Sequence, residues 1–136
     1  MFKEAGISAN FIQDDISVSK KNVLRGIHGD EGTTKLVSCL FGKFYLVVVN
    51  NNPNSSQFRQ WESFELDDEN RSLILIPPNF GNGHLVTSEV AIFYYKQDTV
   101  YGDYPQFTLK WNDPELKIRW PIKEPITSKR DDGREN

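Results

Sequence analysis

Apolar residues cluster in short runs along this chain, and turn-forming residues separate them. Residues 35–52, KLVSCLFGKFYLVVVNNN, are rich in Val, Leu, Phe and Tyr and are broken once, by Gly42. That pattern predicts two strands around a turn, the second (Phe44 to Val49) so continuously apolar that both its faces are buried. The polar stretch at 50–57, NNNPNSSQ, is expected to be a loop. Trp61, Ser63 and Glu65 alternate with Phe64 and Leu66, as in a half-buried strand. LDDENR reads as a turn, and SLILIPP as a short strand ended by Pro77 and Pro78. NFGNGH, residues 79–84, reads as a glycine-rich loop. A further apolar run covers Val90 to Tyr95. FTLKW gives one more short strand, and NDPELKIRWP a turn followed by a strand ending at Pro121. No helical stripe and no internal repeat is present. Many short strands with Gly and Pro between them predict an all-β sandwich or barrel.

Composition narrows the class. A chain of 136 residues with 38% hydrophobic and 26% charged residues fits one domain with a real core. Sixteen basic against nineteen acidic residues leave a net charge of −3, which argues against nucleic acid as a partner. A local basic pocket for a small anion is still allowed. MFKEAGISANF lacks a basic-then-apolar leader pattern, and no apolar run is long enough to span a bilayer, so a cytoplasmic protein is expected. Cys39 is the single cysteine, which excludes an internal disulfide and a cysteine-based zinc site. Most of the nine Phe, five Tyr and three Trp belong to a β core.

Candidate chemistry concentrates in KNVLRGIHGD, residues 21–30. One of the two histidines, His28, sits three residues after Arg25. The segment reads either as a proton-transfer group beside an anion-binding group or as a polar strand end. The other histidine, His84, is far away in sequence and reads as structural. With no paired carboxylates at ligand spacing, neither a metal site nor a cofactor is expected.

FIQDDISVSKKNVLRGIH, KLVSCLFGKFY, LILIPPNFGNGHLV, YYKQDTVY, LKWNDPELKIRWP and PITSKRD follow one another in this order. In this series the chain resembles the dTDP-4-dehydrorhamnose 3,5-epimerase family from Phe11 to Asp131. The resemblance implies a single domain over 1–136 with a cupin-like jelly roll, likewise all-β. It implies an epimerase of nucleotide-linked 4-keto-6-deoxy sugars, with a dTDP- or GDP-linked substrate and a homodimeric assembly. In such enzymes a base removes the proton next to the ketone and the enolate is reprotonated from the other face. Histidine suits the base because its ordinary pKa lies near neutrality. The family's L-R-G-L-H motif falls on Leu24 to His28, which assigns His28 as base and Arg25 to the diphosphate. PITSKRD assigns Asp131 as the carboxylate that orients the base. It implies that residues 126–136 fold over the site, although composition alone calls SKRDDGREN disordered. Tyr95 is assigned as the acid and Tyr101 as a second tyrosine of the site. Gln13 and Lys35 fall where the family contacts nucleotide or sugar.

Five departures temper the resemblance. The family's G-F-A-H-G-F loop is NFGNGH here, so Asn82 replaces a histidine; it keeps hydrogen bonding, as a substrate contact, but cannot relay a proton. The D-V-x-V-D strand is LVVVN, which removes both aspartates. Asp15 stands where the family has asparagine, and Val100 replaces the first of two tyrosines. The family's D-x-R-G-x-F stretch, which reaches across the dimer to the nucleotide, has no counterpart in these residues. A different hold on the nucleotide or a dimer built without that exchange, another nucleotide or a heptose in place of a hexose, and inversion at one centre only are therefore the expectations. The alternatives are a degenerate member that binds without turnover and a sugar ketoisomerase sharing the enolate.

Overall fold

A computed structural model describes residues 6, 8–128 and 131. Nine strands appear in chain order: β1 (Gln13–Lys20), β2 (Leu24–Gly29), β3 (Lys35–Phe41), β4 (Lys43–Asn50), β5 (Trp61–Asp67), β6 (Ile74–Ile76), β7 (Phe80–Val86), β8 (Val90–Gln97) and β9 (Phe107–Thr108). They form two antiparallel sheets, ordered β1-β8-β3-β6 and β5-β4-β7-β2-β9. The described residues contain no helix, and none is long and apolar enough to cross a membrane. The all-β jelly roll expected from the sequence is thus observed.

The sheets face each other across Val37, Cys39, Phe44, Leu46, Leu66, Ile76, Val86, Ala91 and Phe93. Alternate residues of each strand point to this interior, as the pleat requires. β4 is apolar on both faces because both are covered. Phe44 and Leu46 turn inward, whereas Val47 and Val49 turn outward into a second cluster with Ile27 and Leu116.

That outer cover corrects one expectation. Residues 112–121 form no strand; they lie as turns and extended chain over the outer face of β4 and β2. Leu116, Ile118 and Trp120 alternate as strand residues do, but their spacing serves burial, not ladder pairing. Lys117, with φ at 56°, takes the backbone out of the extended region. Polar groups of the aromatic rings pin the segment. Trp61 Nε1 donates to the Leu116 carbonyl at 2.8 Å, Trp120 Nε1 to that of Trp111 at 2.8 Å, and the Tyr45 hydroxyl to that of Arg119 at 2.9 Å. Leu116→Ala should cost roughly 2–3 kcal/mol, toward the low end of buried Leu truncations, measured by urea unfolding. A cost below about 0.5 kcal/mol would show that this cover contributes little.

NFGNGH is the second correction. It is not a loop but most of β7, paired with β4 through Val48–Asn82 and Leu46–His84. Its glycines serve close approach. A Cβ on Gly81 would come 2.7 Å from the Ile27 side chain, and one on Gly83 would come 3.0 Å from it. FTLKW contributes only the two residues of β9.

Candidate active site

β1 reverses the usual polarity of a strand on a core. Ile16 and Val18 are 62% and 61% exposed, while Gln13, Asp15, Ser17 and Ser19 turn inward. An interior face lined with such groups is costly unless they serve one another or a ligand. Of these, Ser17 lines a cavity of about 190 Å³ between the sheets. This is smaller than the ~300–1,000 Å³ that encloses a drug-sized ligand, so it admits a fragment the size of one sugar ring.

Arg25, His28, Lys35, Asn82, His84 and Tyr95 converge on that cavity. Arg25 and His28 are three apart and would face opposite ways in a regular strand. The register of β2 against β7 shifts between them, pairing Arg25 with His84 and His28 with Asn82. Such an irregularity re-aims side chains next to a site. Gly26, inside the shift, has φ at 129°, and a Cβ there would overlap the Gly83 backbone. The Gly in Leu24–His28 is thus what allows guanidinium and imidazole to share one face.

His28 is held from both sides. Its Nε2 lies 2.8 Å from Asp131 Oδ1, and its Nδ1 lies 3.2 Å from Thr108 Oγ1 on β9. Asp131 is 4% exposed. Its Oδ2 accepts from the Gly26 backbone N–H at 3.2 Å, and its own N–H donates to Ser128 Oγ. Burial pushes the Asp131 carboxyl upward, but the hydrogen bonds from His28, Gly26 and Ser128 outweigh it and leave the pKa below the ordinary value. The approach to the site is anchored by Ile126, which exchanges backbone hydrogen bonds with Asn22 and Leu24. Of the tail expected to cover the site, Ser128 bonds Asp131 and Asp131 reaches His28, while 129, 130 and 132–136 fall outside the described residues.

Across the cavity, Tyr95 sits edge-on to Phe93, with ring centroids 5.6 Å apart. Burial, then the charge and hydrogen bond of Asp15, push its phenol well above the ordinary range, so it keeps its proton. Lys35 Nζ lies 5.2 Å from the Tyr95 ring centroid and donates to Asn82 Oδ1 at 3.4 Å. Burial lowers its pKa, against the pull of Asp30 and Asp15. Arg25 Nε donates to Ser19 Oγ at 2.9 Å, which ties β2 to β1. Gln13 and Tyr101 stand outside the cavity lining. Gln13 Nε2 donates to Asp15 Oδ2 at 3.0 Å and its Oε1 accepts the Tyr101 backbone N–H at 2.9 Å, while the Tyr101 side chain is 66% exposed.

Sequence reasoning missed Ser17, Gln106 and Thr108, for which no motif gave a signal. It read His84 as structural and did not put it at the cavity. His84 is 3% exposed, stacked on Phe93 at 4.0 Å between centroids, and burial followed by the nearby Arg25 charge lowers its pKa to about 3. The unfolded chain therefore takes up a proton near pH 6.5 that the folded protein refuses until about pH 3. Stability should fall as pH drops through that window, and His84→Phe should flatten the fall, as followed by urea midpoints from pH 7 to 4. An unchanged slope would place the acid sensitivity elsewhere.

A larger cleft of about 330 Å³ opens beside Trp61, Phe64 and Phe80, but Glu62 is the one titratable side chain lining it. Among the described residues no group of three His, Cys, Asp or Glu is placed to hold a metal ion.

The family model for dTDP-4-dehydrorhamnose 3,5-epimerase matches residues 1–136. The chain is 38% identical over 122 residues to the dTDP-4-dehydrorhamnose 3,5-epimerase of Salmonella typhimurium, covering 88% of this chain and 67% of that protein. It superposes with a TM-score of 0.90 and 36% identity on dTDP-6-deoxy-D-glucose-3,5-epimerase from Legionella pneumophila in complex with dTDP-4-keto-L-rhamnose, covering 97% of this chain and 72% of that one. It also superposes, at TM-score 0.89 and 28% identity, on ChmJ, a 3'-monoepimerase from Streptomyces bikiniensis in complex with dTDP-quinovose, over 96% and 69% of the two chains. The chain thus spans roughly two thirds of the length of these proteins. With the same fold along nearly its whole length and a family match from end to end, the chain belongs to the dTDP-4-dehydrorhamnose 3,5-epimerase family.

Proposed function

We propose that the protein is an epimerase of a nucleotide-linked 4-keto sugar, working through an enolate. The observation that carries this reading is the Asp131–His28 pair at one wall of a sugar-sized cavity with Tyr95 at the other. Asp131 holds the proton on Nε2, which leaves the lone pair on Nδ1. Nδ1 takes the proton from the carbon next to the ketone, the C–H electrons form the C=C bond, and the carbonyl oxygen becomes the enolate oxygen. Lys35 and Asn82 border the cavity where cationic and amide donors stabilise that charge. Tyr95 returns a proton to the carbon from the opposite face and is reprotonated from solvent, while His28 releases its own.

The substrate is drawn from the chemistry that the relatives' names carry, a dTDP-linked 4-keto sugar, with the diphosphate on Arg25. Arg25→Ala removes a charge-assisted hydrogen bond worth about 1.5–3 kcal/mol, so KM should rise about ten- to hundredfold with kcat little changed. A fall in kcat alone would remove Arg25 from binding. We place the protein in the cytoplasm as a homodimer. The dimer reading rests on the apolar outer face of the β1 sheet, where Ile16, Val18 and Leu75 are exposed. Sedimentation equilibrium at micromolar concentration tests it, and a monomer would contradict it. The function is tested by incubating the protein with dTDP-4-keto-6-deoxy-glucose, reducing with borohydride and identifying the sugars. Epimerised products support the reading; the unaltered pair of C4 epimers alone contradicts it.

A further inference from the structure

The segment that covers the outer face of β4 and β2 holds a second pocket, which the epimerase machinery leaves unused. Its cavity of about 380 Å³ is lined by Trp111, Lys117, Ile118, Arg119, Trp120 and Lys123 among others. That volume lies within the ~300–1,000 Å³ that holds a drug-sized ligand. No lining residue is shared with the cavity of His28. The two lie on opposite faces of one sheet, because Ile118 and Trp120 pack on the outward-facing Val47 and Val49.

The charge of the pocket is a second observation. Lys117, Arg119 and Lys123 are exposed, and among the described residues none of their side chains has an ion pair or a hydrogen bond. Asp113 is the one carboxylate in the lining, and it is already held by Arg59, 2.9 Å from Nη2. A cluster of unpaired cations thus stands on a chain whose net charge is −3. The local pattern explains how it forms. Leu116, Ile118 and Trp120 turn to the sheet, which leaves Lys117 and Arg119 facing outward.

Such a lining fits an anion with a flat body. Lysine and arginine make charge-assisted hydrogen bonds to phosphate oxygens, and aromatic faces stack on a nucleobase. Trp120 gives its Nε1–H to the Trp111 carbonyl at 2.8 Å, so what it offers a ligand is its ring. Three cations match a di- or triphosphate and are too few to follow a nucleic-acid backbone, which the acidic chain repels.

We propose that this pocket is a second, non-catalytic site for a nucleoside di- or triphosphate, with the base against the indoles and the phosphates on Lys117, Arg119 and Lys123.

Isothermal titration of the full chain with dTDP and with inorganic pyrophosphate tests this. It compares wild type, Arg25→Ala and the triple variant Lys117→Ala, Arg119→Ala, Lys123→Ala, whose three exposed positions can change without loss of the fold. Wild type should take up two dTDP per chain. Arg25→Ala should weaken one and keep the other. The triple variant should weaken that other one about tenfold or more, with epimerase turnover unchanged. Pyrophosphate should bind there about tenfold more weakly than dTDP, because it gains nothing from the rings. A single dTDP per chain in wild type overturns the site, as does a second dTDP that the triple variant holds with full affinity. Equal affinity for pyrophosphate and dTDP overturns it too, because the indoles then recognise no base.

Discussion

His28→Ala should abolish exchange of the sugar's α-proton, with a loss on the order of 10³-fold or more, while affinity for the nucleotide sugar stays within severalfold. General-base catalysis contributes about 10²–10⁴-fold, and His28 is the imidazole that the structure sets against a carboxylate at the cavity. Binding is expected to persist because Arg25, Lys35 and Asn82 are untouched and the side chain removed is only partly buried, at 23% exposure. Isothermal titration with the nucleotide sugar and proton exchange followed by NMR separate the two quantities. Full exchange in the variant would assign the base to another residue. Loss of binding in step with exchange would make His28 a substrate ligand only.

Asp131→Asn should cost on the order of 10²–10³-fold in kcat with KM nearly unchanged, although the side chain is not among those lining the cavity. On the epimerase reading proposed above, the carboxylate 2.8 Å from Nε2 favours the proton on that nitrogen and leaves Nδ1 as the basic one. An amide at 131 can instead donate to Nε2, which shifts the proton to Nδ1 and stores the imidazole in the wrong tautomer. The comparable carboxylate-to-amide change in serine proteases has an effect of about 10⁴-fold. Here the loss is expected to be smaller, because Thr108 Oγ1 at Nδ1 can take either role toward the ring. A nitrogen-15 spectrum of the histidines supplies a readout that a merely structural role would not move: the His28 tautomer should switch. If kcat falls with the tautomer unchanged, Asp131 acts otherwise than by orienting the base.

Much of the fold was legible from local pattern. β3, β4, β5, β6 and β8 are runs whose burial follows from their apolar residues, and Gly42 marks the turn between β3 and β4, with φ at 77°. What escaped was structure set by contacts distant in sequence. Glycines in NFGNGH look like turn residues, yet Gly81 and Gly83 are small because Ile27 packs against them. Alternation in LKIRWP looks like a strand, yet it arises from packing on an outer face of β4 that no single segment could announce.

The site divides in the same way. His28, Arg25, Tyr95, Lys35 and Asn82 were marked by motif, and the structure brings them to one cavity. Gln13 and Tyr101 were marked too, but they meet each other outside its lining. Asp131 was the hardest to read, because SKRDDGREN has the composition of a solvated tail. Its burial depends on the Gly26 N–H and on Ser128, neither of which signals a carboxylate site alone. Thr108 and His84 could not have been found from spacing, since the register shift in β2 decides what they face.

The most direct test is proton NMR of the purified protein with dTDP-4-keto-6-deoxy-glucose in deuterated buffer. Loss of signal at C3, at C5 or at both, at a rate that falls about 10³-fold in His28→Ala, is the expected result. Measurable binding with no exchange at either carbon would contradict the epimerase reading and leave a protein that binds the nucleotide sugar without turning it over.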